Sequence, residues 1–407
     1  MNVLSGNASS LANARPAAQV RHLQAMDWLG WDRFVRSHPH GTLYHLPCWK
    51  KIIEKSYGHR THYLVAVRNR DPAAPVSSEQ DRATQSPPGG HKESAASIAG
   101  VLPLVHLKNI LFGNHLISMP FFDLGGILAE DEETERGLLS EALRLGTRLR
   151  AQQIELRHTY RHSCLDCEAA SPGGRPREKS AESWKSRTRT HKVRMVLALP
   201  GSAGELMASF KSKLRSQIRK PMREGLSAIV GGAELLDAFY RVFVANMRDL
   251  GSPVHSKKLM AHLFEELREE ARIVLVRKGG IPLACSLIIR LGDTLYNPWA
   301  SALREYSSLS PNMLLYWTML EYACENGISR FDFGRSTPGE GTYKFKEQWG
   351  AVPQTLHWQY VVLHSTEEKE GEASDRPRFA RAVPYWRRLP LAVTQWLGPM
   401  IRKHIGL

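Results

Sequence analysis

The stretch FDFGRSTPGEGTYKFKEQWG, residues 331–350, decides the fold of the second half of the chain. Phe331 and Phe333 alternate with a carboxylate, which predicts a strand that carries Asp332 on the face opposite the two rings. Three glycines follow and allow the backbone to turn sharply and approach a ligand. The stretch therefore predicts an apolar strand joined by a flexible turn to a basic aromatic segment.

The length and composition predict two domains with real cores. The chain has 407 residues, of which 42% are hydrophobic, and a single core seldom grows to that size. No run of about 18 apolar residues predicts a membrane span, and the N-terminus lacks the apolar stretch of a secretory signal. No Ser-His-Asp pattern, HExxH motif or paired Cys/His spacing supports a serine hydrolase, a metallohydrolase or another metal site.

The positive charge of the chain is concentrated in two windows. The net charge is +15, and residues 173–223 carry fourteen Lys and Arg residues against three acidic ones. Residues 376–407 carry seven Lys and Arg residues and no acid. This distribution predicts anionic partners at two places rather than over the whole surface.

Polar segments divide the chain into predicted units. A disordered leader is expected over 1–24, an N-terminal domain over 25–200, a C-terminal domain over 201–365, and a linker with a basic amphipathic tail over 366–407. Insertions rich in Pro, Ser, Gly and charge are expected at 69–97 and 164–192. Each domain contains a predicted hairpin followed by a helix and a further strand, which indicates either two copies of one mixed α/β domain or a coincidence of α/β patterning.

The order of hairpin, helix and strand resembles the core of the GNAT acyltransferase fold, and its tandem arrangement resembles the FemABX aminoacyltransferases. FDFGRS…GTYKFKEQWG is similar to the closing segment of FemAB-like proteins. WDRFVRSHPHGTLYHLPCWKKIIEKSYGH (31–59) is similar to their N-terminal segment, and KLRSQIRKPMREGL (213–226) to the basic helix that opens their second domain. YWRRLPLAVTQWLGPMIRKHIG (385–406) resembles the tail of a subgroup associated with PEP-CTERM/exosortase and exopolysaccharide loci.

The resemblance implies an α/β fold with mixed sheets and two tandem GNAT-like domains. It implies N-acyl or aminoacyl transfer to an amine of an anionic cell-envelope or exopolysaccharide precursor, without a tightly bound cofactor. The donor is left open between aminoacyl-tRNA and acyl-CoA, because the turn REYSSLSPN (304–312) lacks the glycines that usually hold the CoA pyrophosphate. The alternative function is a non-catalytic module that binds a saccharide precursor.

Three residues are the candidate catalytic groups: Lys346, Asp332 and Arg335. The family pattern selects Lys346, whose charge would stabilise the oxyanion of acyl transfer; a solvated surface lysine is the alternative. As an exposed side chain, Lys346 is expected to contribute little to stability. Asp332 would orient the attacking amine or accept its proton, or else would be a strand-end residue satisfied by a neighbouring Arg or amide.

The candidate substrate-binding residues come from three segments. Arg215, Arg219 and Arg223 recur every four residues and predict a basic helix face suited to a diphosphate or a nucleic-acid backbone, or a solvated face. Lys344 and Lys346 are expected to reach one pocket from a loop or extended backbone, with Tyr343 beside them. Tyr44 and His45 are expected to shape the acceptor cleft.

The C-terminal segment 378–407 combines tryptophan and aliphatic residues with basic ones. Pro384, Pro390 and Pro399 argue against one continuous helix. Such a composition suits the membrane interface, which predicts a cytoplasmic protein held on the inner face of the cytoplasmic membrane. The alternative is that the segment packs on the body and closes a groove between the domains.

Overall fold

The computed structural model describes residues 17–69, 96–110, 112–165, 184–363 and 381–406. Most of the two predicted insertions and of the linker after residue 365 therefore lies outside the described residues. Two predicted disordered segments do contain strands: residues 19–22 of the expected leader, and residues 185–189 of the second insertion. Both strands pair within a sheet, so these two expectations were wrong at those positions.

The described residues form these strands in chain order: β1 Gln19–His22, β2 Arg60–Asn69, β3 Ala96–Asn109, β4 Gly113–Ile117, β5 Leu128–Ala129, β6 Gln153–His158, β7 Lys185–Arg189, β8 Val193–Ala198, β9 Ser227–Gly231, β10 Ala271–Lys278, β11 Ile281–Leu291, β12 Thr294–Ala302, β13 Arg330–Ser336, β14 Val352–Thr355 and β15 His357–Val362. The helices are α1 Trp28–Ser37, α2 Cys48–Tyr57, α3 Glu132–Arg148, α4 Ala203–Ser209, α5 Ser212–Arg223, α6 Leu236–Leu250, α7 Lys257–Leu267, α8 Pro311–Glu325, α9 Gly341–Glu347, α10 Val383–Arg388 and α11 Leu391–Arg402.

The strands form two mixed sheets that repeat one topology. In the first sheet, β2, β3 and β4 form an antiparallel meander, α3 follows, and β6 returns parallel to β4. In the second sheet, β10, β11 and β12 form the meander, α8 follows, and β13 returns parallel to β12. This repetition confirms the predicted mixed α/β fold with two tandem units of the same kind.

The two halves exchange strands. β8, which precedes residue 200, pairs antiparallel with β13 in the second sheet. β15, which follows the second unit, pairs antiparallel with β6 in the first sheet. Each sheet therefore contains a strand from beyond the predicted limits of its domain, 25–200 or 201–365. The domain limits themselves stay a prediction.

Local sequence explains where several helices begin and end. Asp131 accepts a hydrogen bond from the backbone N–H of Thr134 and caps α3. α4 and α5 are separate helices, because Phe210 leaves the helical conformation and buries its ring in the core. Pro311 opens α8, where its missing N–H has no helical partner to lose, and the side chain of Ser310 makes no capping hydrogen bond.

The faces of the second sheet decide where a site can lie. Phe331 and Phe333 of β13 pack with Leu214 and Ile218 of α5 in one core cluster. The opposite face carries Tyr296, which belongs to a larger cluster that includes residues of the first half. Polar groups on that second face therefore lie at the junction of the two halves. Every helix among the described residues is too short or too polar to span a bilayer.

Candidate functional site

β12 and β13 form a fork at the centre of the second sheet. They pair in parallel from Thr294 with Arg330 to Tyr296 with Asp332, and the pairing ends there although both strands continue. Gly334 lies just beyond, at a φ of 74° that disfavours a residue with a side chain. The register of β13 against β8 shifts between Asp332 and Arg335. Beyond Asp332, the backbone groups of β12 and β13 therefore no longer pair with each other. This is the point where the sequence analysis placed its catalytic residues.

Asp332 is buried at the mouth of this fork. The Nε–H of Arg194 donates to one carboxylate oxygen at 2.7 Å, and the backbone N–H of Gly334 donates to the other at 2.8 Å. Burial alone would lower the pKa of the Arg194 guanidinium. The nearby carboxylate of Asp332 has the larger effect, so the pKa is raised. The pairing with a neighbouring Arg, which the sequence left open, is therefore present. Arg194 itself was not predicted, although a charge alternating with apolar residues in β8 was a usable signal.

Lys346 is buried rather than exposed, with 7% of its surface accessible. Its ammonium donates to the carbonyl oxygens of Gly334 at 3.0 Å and Arg335 at 2.8 Å. Burial lowers the pKa of Lys346 to about 8, although the nearby carboxylates of Asp332 and Asp123 act in the opposite direction. The expectation of an exposed lysine was wrong, and with it goes the reason for expecting little effect on stability. An ammonium has three N–H donors, and these two bonds leave one for a ligand.

Lys344 and Lys346 do not reach one pocket from a loop. Residues 341–347 form α9, and because two residues span about 200° of a helix, the two lysines project in different directions. Lys344 is exposed, whereas Lys346 is buried. Tyr343 is half-buried and packs at the edge of the second core cluster.

Arg335 joins the fork to the first half of the molecule. Its Nε lies 3.4 Å from a carboxylate oxygen of Asp123, and its guanidinium stacks 5.2 Å from the centroid of the Trp358 ring. The structure therefore brings Asp332, Arg335 and Lys346 together around Gly334. Asp123 and Trp358 were not singled out from the sequence.

The other predicted binding residues do not share a pocket with Lys346. Arg215, Arg219 and Arg223 are on α5, which packs on the face of the second sheet opposite Asp332. Tyr44 is in the core, where its ring stacks on Phe122 at 4.7 Å and meets Tyr296 edge-on at 5.9 Å.

His45 is also a core residue. Its Nδ1 lies 2.8 Å from the hydroxyl of Thr42, and burial lowers its pKa to about 3, so the ring is neutral. Tyr44 and His45 therefore position the N-terminal turn rather than line a large cleft.

A cavity of about 680 Å³ lies beside Arg335, between the first sheet and the C-terminal tail. Its lining includes five basic side chains and one carboxylate: Arg157, Arg189, Lys192, Arg335, Arg402 and Glu155. Trp358 forms part of the wall, and Arg157 lies 4.7 Å from its ring centroid. Arg335 links this cavity to the fork, and the charge of the lining suits an anionic ligand.

A second cavity, of about 500 Å³, lies at the N-terminus of α8. Arg304, Ser307, Asn312 and Arg387 line it together with Asp249. Helix N-termini present free N–H groups and favour anions. The glycine-free turn before α8 thus leaves room for a ligand despite its sequence.

No metal site was found in the described ranges: no three His, Cys, Asp or Glu side chains there are placed to bind one ion. The lining of the fork and of the large cavity is instead cationic and aromatic. This chemistry fits anion binding and charge stabilisation.

Comparison with known proteins identifies the chemistry of the second half. Residues 208–347 match the family model described as an acetyltransferase (GNAT) domain. This match includes α5, the fork and Lys346, and it supports an acyltransferase. No curated protein matches the sequence.

Solved structures share the fold over most of the chain. The crystal structure of FemX aligns with 84% of this chain and 96% of its own, at 16% identity and a TM-score of 0.59. A conserved protein of unknown function from Bacteroides thetaiotaomicron VPI-5482 aligns with 85% of this chain and 99% of its own, at 9% identity and a TM-score of 0.52. Both likenesses therefore extend over the two halves and support the tandem architecture.

Proposed function

We propose that the protein transfers an acyl or aminoacyl group to an amine of an anionic cell-envelope or exopolysaccharide precursor. The observation that carries this proposal is the ammonium of Lys346, held by two carbonyls at the strand fork of a GNAT domain. The catalytic centre then lies within the domain predicted over 201–365. Lys346, Asp332 and Arg335 are its proposed residues.

The proposed reaction forms one bond and breaks another. The nitrogen of the acceptor amine attacks the acyl carbonyl carbon, a C–N bond forms, and the bond to the donor sulfur or oxygen breaks. The amine loses a proton, and the leaving group takes one up. Negative charge develops on the carbonyl oxygen, and the remaining N–H of Lys346 would stabilise it in a site with little water. Asp332 holds the fork through Arg194 and Gly334, which is a positioning role.

The acceptor is proposed to lie in the cavity beside Arg335. Its lining of five basic side chains against one carboxylate attracts an anion. The Trp358 ring offers a flat surface for a sugar or a base. Arg335 lines this cavity, and its carbonyl oxygen binds Lys346, so an amine attached to the bound anion has a short route to the fork.

Two donor classes are compatible with this site. A GNAT domain favours acyl-CoA, and the cavity at the N-terminus of α8 provides Arg304 and Arg387 for its phosphates. The resemblance to FemABX proteins favours aminoacyl-tRNA instead. Arg219 and Arg223 on α5 are exposed and offer a basic surface for the RNA backbone. Supplying each donor to the purified protein separates the two.

The tail supports a peripheral position on the cytoplasmic membrane. It exposes Tyr385, Val393, Trp396 and Met400 together with several basic residues. Aromatic and basic side chains suit the interface of an anionic bilayer. Its resemblance to the PEP-CTERM/exosortase-associated subgroup favours an acceptor from an exopolysaccharide system.

One observation favours the alternative of a non-catalytic precursor-binding module. Two of the three N–H groups of Lys346 bind backbone carbonyls, which is also what a structural lysine would do. Such a module would keep the basic cavity and bind the same precursor without modifying it.

Mass spectrometry of the envelope and polysaccharide precursor pool tests the proposal. The pool of a strain that lacks the gene is compared with that of the same strain with the gene restored. We expect one species to gain a single acyl or aminoacyl mass on restoration. Pools of identical mass would exclude the transferase and favour the binding module.

A further inference from the structure

The C-terminal tail forms one wall of the large basic cavity. Arg402, His404, Ile405 and Gly406 line it beside residues of the first sheet. The backbone N–H of Phe121 donates to the carbonyl oxygen of Gly406 at 2.5 Å. The Nε2 of His59 lies 2.7 Å from the carbonyl oxygen of Lys403. These contacts fix the end of the tail across the first half of the molecule.

Arg402 is held in place by a chain of hydrogen bonds. Its Nε–H donates to Nε2 of His255 at 3.0 Å, so this nitrogen carries no proton. The Nδ1–H of His255 therefore donates to the Tyr57 hydroxyl oxygen at 2.7 Å. That oxygen lies 3.3 Å from the backbone N–H of Ser256, which also donates to it.

His255 is thus neutral, and burial holds its pKa well below its usual value. The ring fixes one side of the Arg402 guanidinium. The two terminal nitrogens of Arg402 make no hydrogen bond to the part of the chain that the structure describes.

The charges around Arg402 are not balanced. Glu155 is the carboxylate in the cavity wall, and it already pairs with Arg157 at 2.8 Å. No carboxylate of the described residues pairs with Arg402 or Arg189. Burial lowers the pKa of Arg402 to about 10, and the positive charges of Arg335 and Arg157 lower it too. Repulsion of this kind costs folding free energy unless a bound anion offsets it.

We infer that Arg402, supplied by the tail and positioned by His255, joins Arg189 and Arg335 to bind the diphosphate group of the acceptor. This inference rests on the proposed function, because it names the chemical class of that acceptor. It also makes the tail a part of the substrate site.

A diphosphate fits this lining better than a carboxylate. Each guanidinium can hold two oxygen atoms in a fork. A single carboxylate supplies two oxygens and one charge, which would leave most of the cationic groups unmatched. A diphosphate supplies several charged oxygens, enough to pair with the guanidinium groups that β7, β13 and α11 present to the cavity.

Titration calorimetry with inorganic pyrophosphate tests the site on the full-length protein. We expect binding that Arg402→Gln weakens at least tenfold. Arg189→Gln, a change on a different element, should weaken it as well, so that misfolding of one variant does not decide the result. Arg388→Gln is the matched control, since Arg388 is an exposed arginine of the tail, and it should alter the dissociation constant less than twofold.

Two probes distinguish the sources of the diphosphate. Inorganic pyrophosphate represents a soluble ligand, and vesicles that contain farnesyl diphosphate represent a membrane-held one. Tighter binding to these vesicles than to vesicles without it, lost in Arg402→Gln, would assign a lipid-linked acceptor. Binding of pyrophosphate alone would assign a soluble one.

Equal binding by the wild type and both cavity variants would overturn the inference, as would no binding by the wild type. These binding results do not depend on acyl transfer. An active transferase that fails to bind pyrophosphate would therefore refute the diphosphate site alone.

Discussion

At the scale of residues, the ion pair between Asp332 and Arg194 is the structural support of the fork. The two side chains are 2.7 Å apart, and they are 13% (Arg194) and 5% (Asp332) exposed. Removing one member of such a pair leaves an uncompensated charge in the interior. Asp332 therefore shapes the site even where it does not contact the substrate.

We expect Asp332→Asn to lower the free energy of unfolding by about 3–5 kcal/mol. Asp293→Asn is the matched control, because Asp293 pairs with Arg330 at 2.7 Å on the surface, with both side chains more than half exposed. Loss of that pair should cost less than about 1 kcal/mol. Urea denaturation of the three proteins measures both values. Equal losses would show that Arg194 does not depend on Asp332.

The protonation of Lys346 gives a pH dependence with a definite sign. Its pKa of about 8 lies below the usual value for lysine, so the charged form that would stabilise the oxyanion is lost as the pH rises through about 8. We expect kcat to fall above about pH 8. Single-turnover rates measured with acceptor bound provide the profile. A rate that instead increases through pH 8, and does so only when Lys346 is present, would assign Lys346 as a base.

The residues that the sequence predicted for the fork share one stretch of chain. Asp332, Arg335 and Lys346 lie within residues 331–350, where strand alternation and a turn limit the possible placements. Arg194 and Asp123 come from β8 and from the loop after β4, so only the tertiary pairing of strands brings them to the fork. The burial of Lys346 was missed because one apolar face of a seven-residue helix gives little periodic signal.

At the scale of elements, α11 depends on a close approach at Gly398. A Cβ atom there would meet the Cγ1 and the backbone nitrogen of Val254 at 2.9 and 3.0 Å. Backbone atoms cannot move aside as a flexible side chain does. Even a methyl group should therefore push the tail away from the body.

We expect Gly398→Ala to increase amide hydrogen exchange across Leu391–Arg402 at least tenfold and to weaken pyrophosphate binding. Gly204→Ala provides the control, because Gly204 is also in a helix and a Cβ atom there would project into open space. Hydrogen exchange followed by mass spectrometry reports on the tail directly. Unchanged exchange in Gly398→Ala would mean that the tail adapts to the added methyl group.

The sequence predicted the helices and strands better than it predicted which strands pair with each other. The break in the tail at Pro390 was expected, whereas Pro399 lies inside α11, one turn before its end. The exchange of β8 and β15 between the sheets was not predicted. Their alternating apolar patterns fit an inner position in either sheet equally well, so the pattern does not select the partner strand.

At the scale of the whole molecule, the tail has two faces with different surroundings. One face packs on the body and places Arg402 in the cavity wall. The other face is exposed, and 70% of the surface of Trp396 on it is accessible. The predicted membrane contact and the alternative of packing on the body are therefore compatible. Truncation would destroy both, so point substitutions on the exposed face are the better test.

We expect flotation with anionic liposomes to be reduced at least fivefold by the combined substitutions Tyr385→Ser, Trp396→Ser and Met400→Ser. The control combines Met26→Ser, Leu29→Ser and Ile281→Ser, which remove exposed apolar side chains elsewhere. Neutral liposomes should bind less of every protein, because each basic residue near an anionic surface contributes about 1 kcal/mol. Equal flotation of the two triple variants would show that the tail has no special affinity for the bilayer.

The measurement that tests the central claim most directly is the precursor mass increment produced by Lys346→Met in cells that lack the wild-type gene. Lys258→Met, a change of an exposed lysine on α7, is the control at matched protein levels. We expect Lys346→Met to lower the modified fraction at least a hundredfold, in line with loss of a group that stabilises an oxyanion. Lys258→Met should retain the wild-type fraction. A stably folded Lys346→Met protein that modifies the precursor as well as Lys258→Met would contradict acyl transfer at this fork.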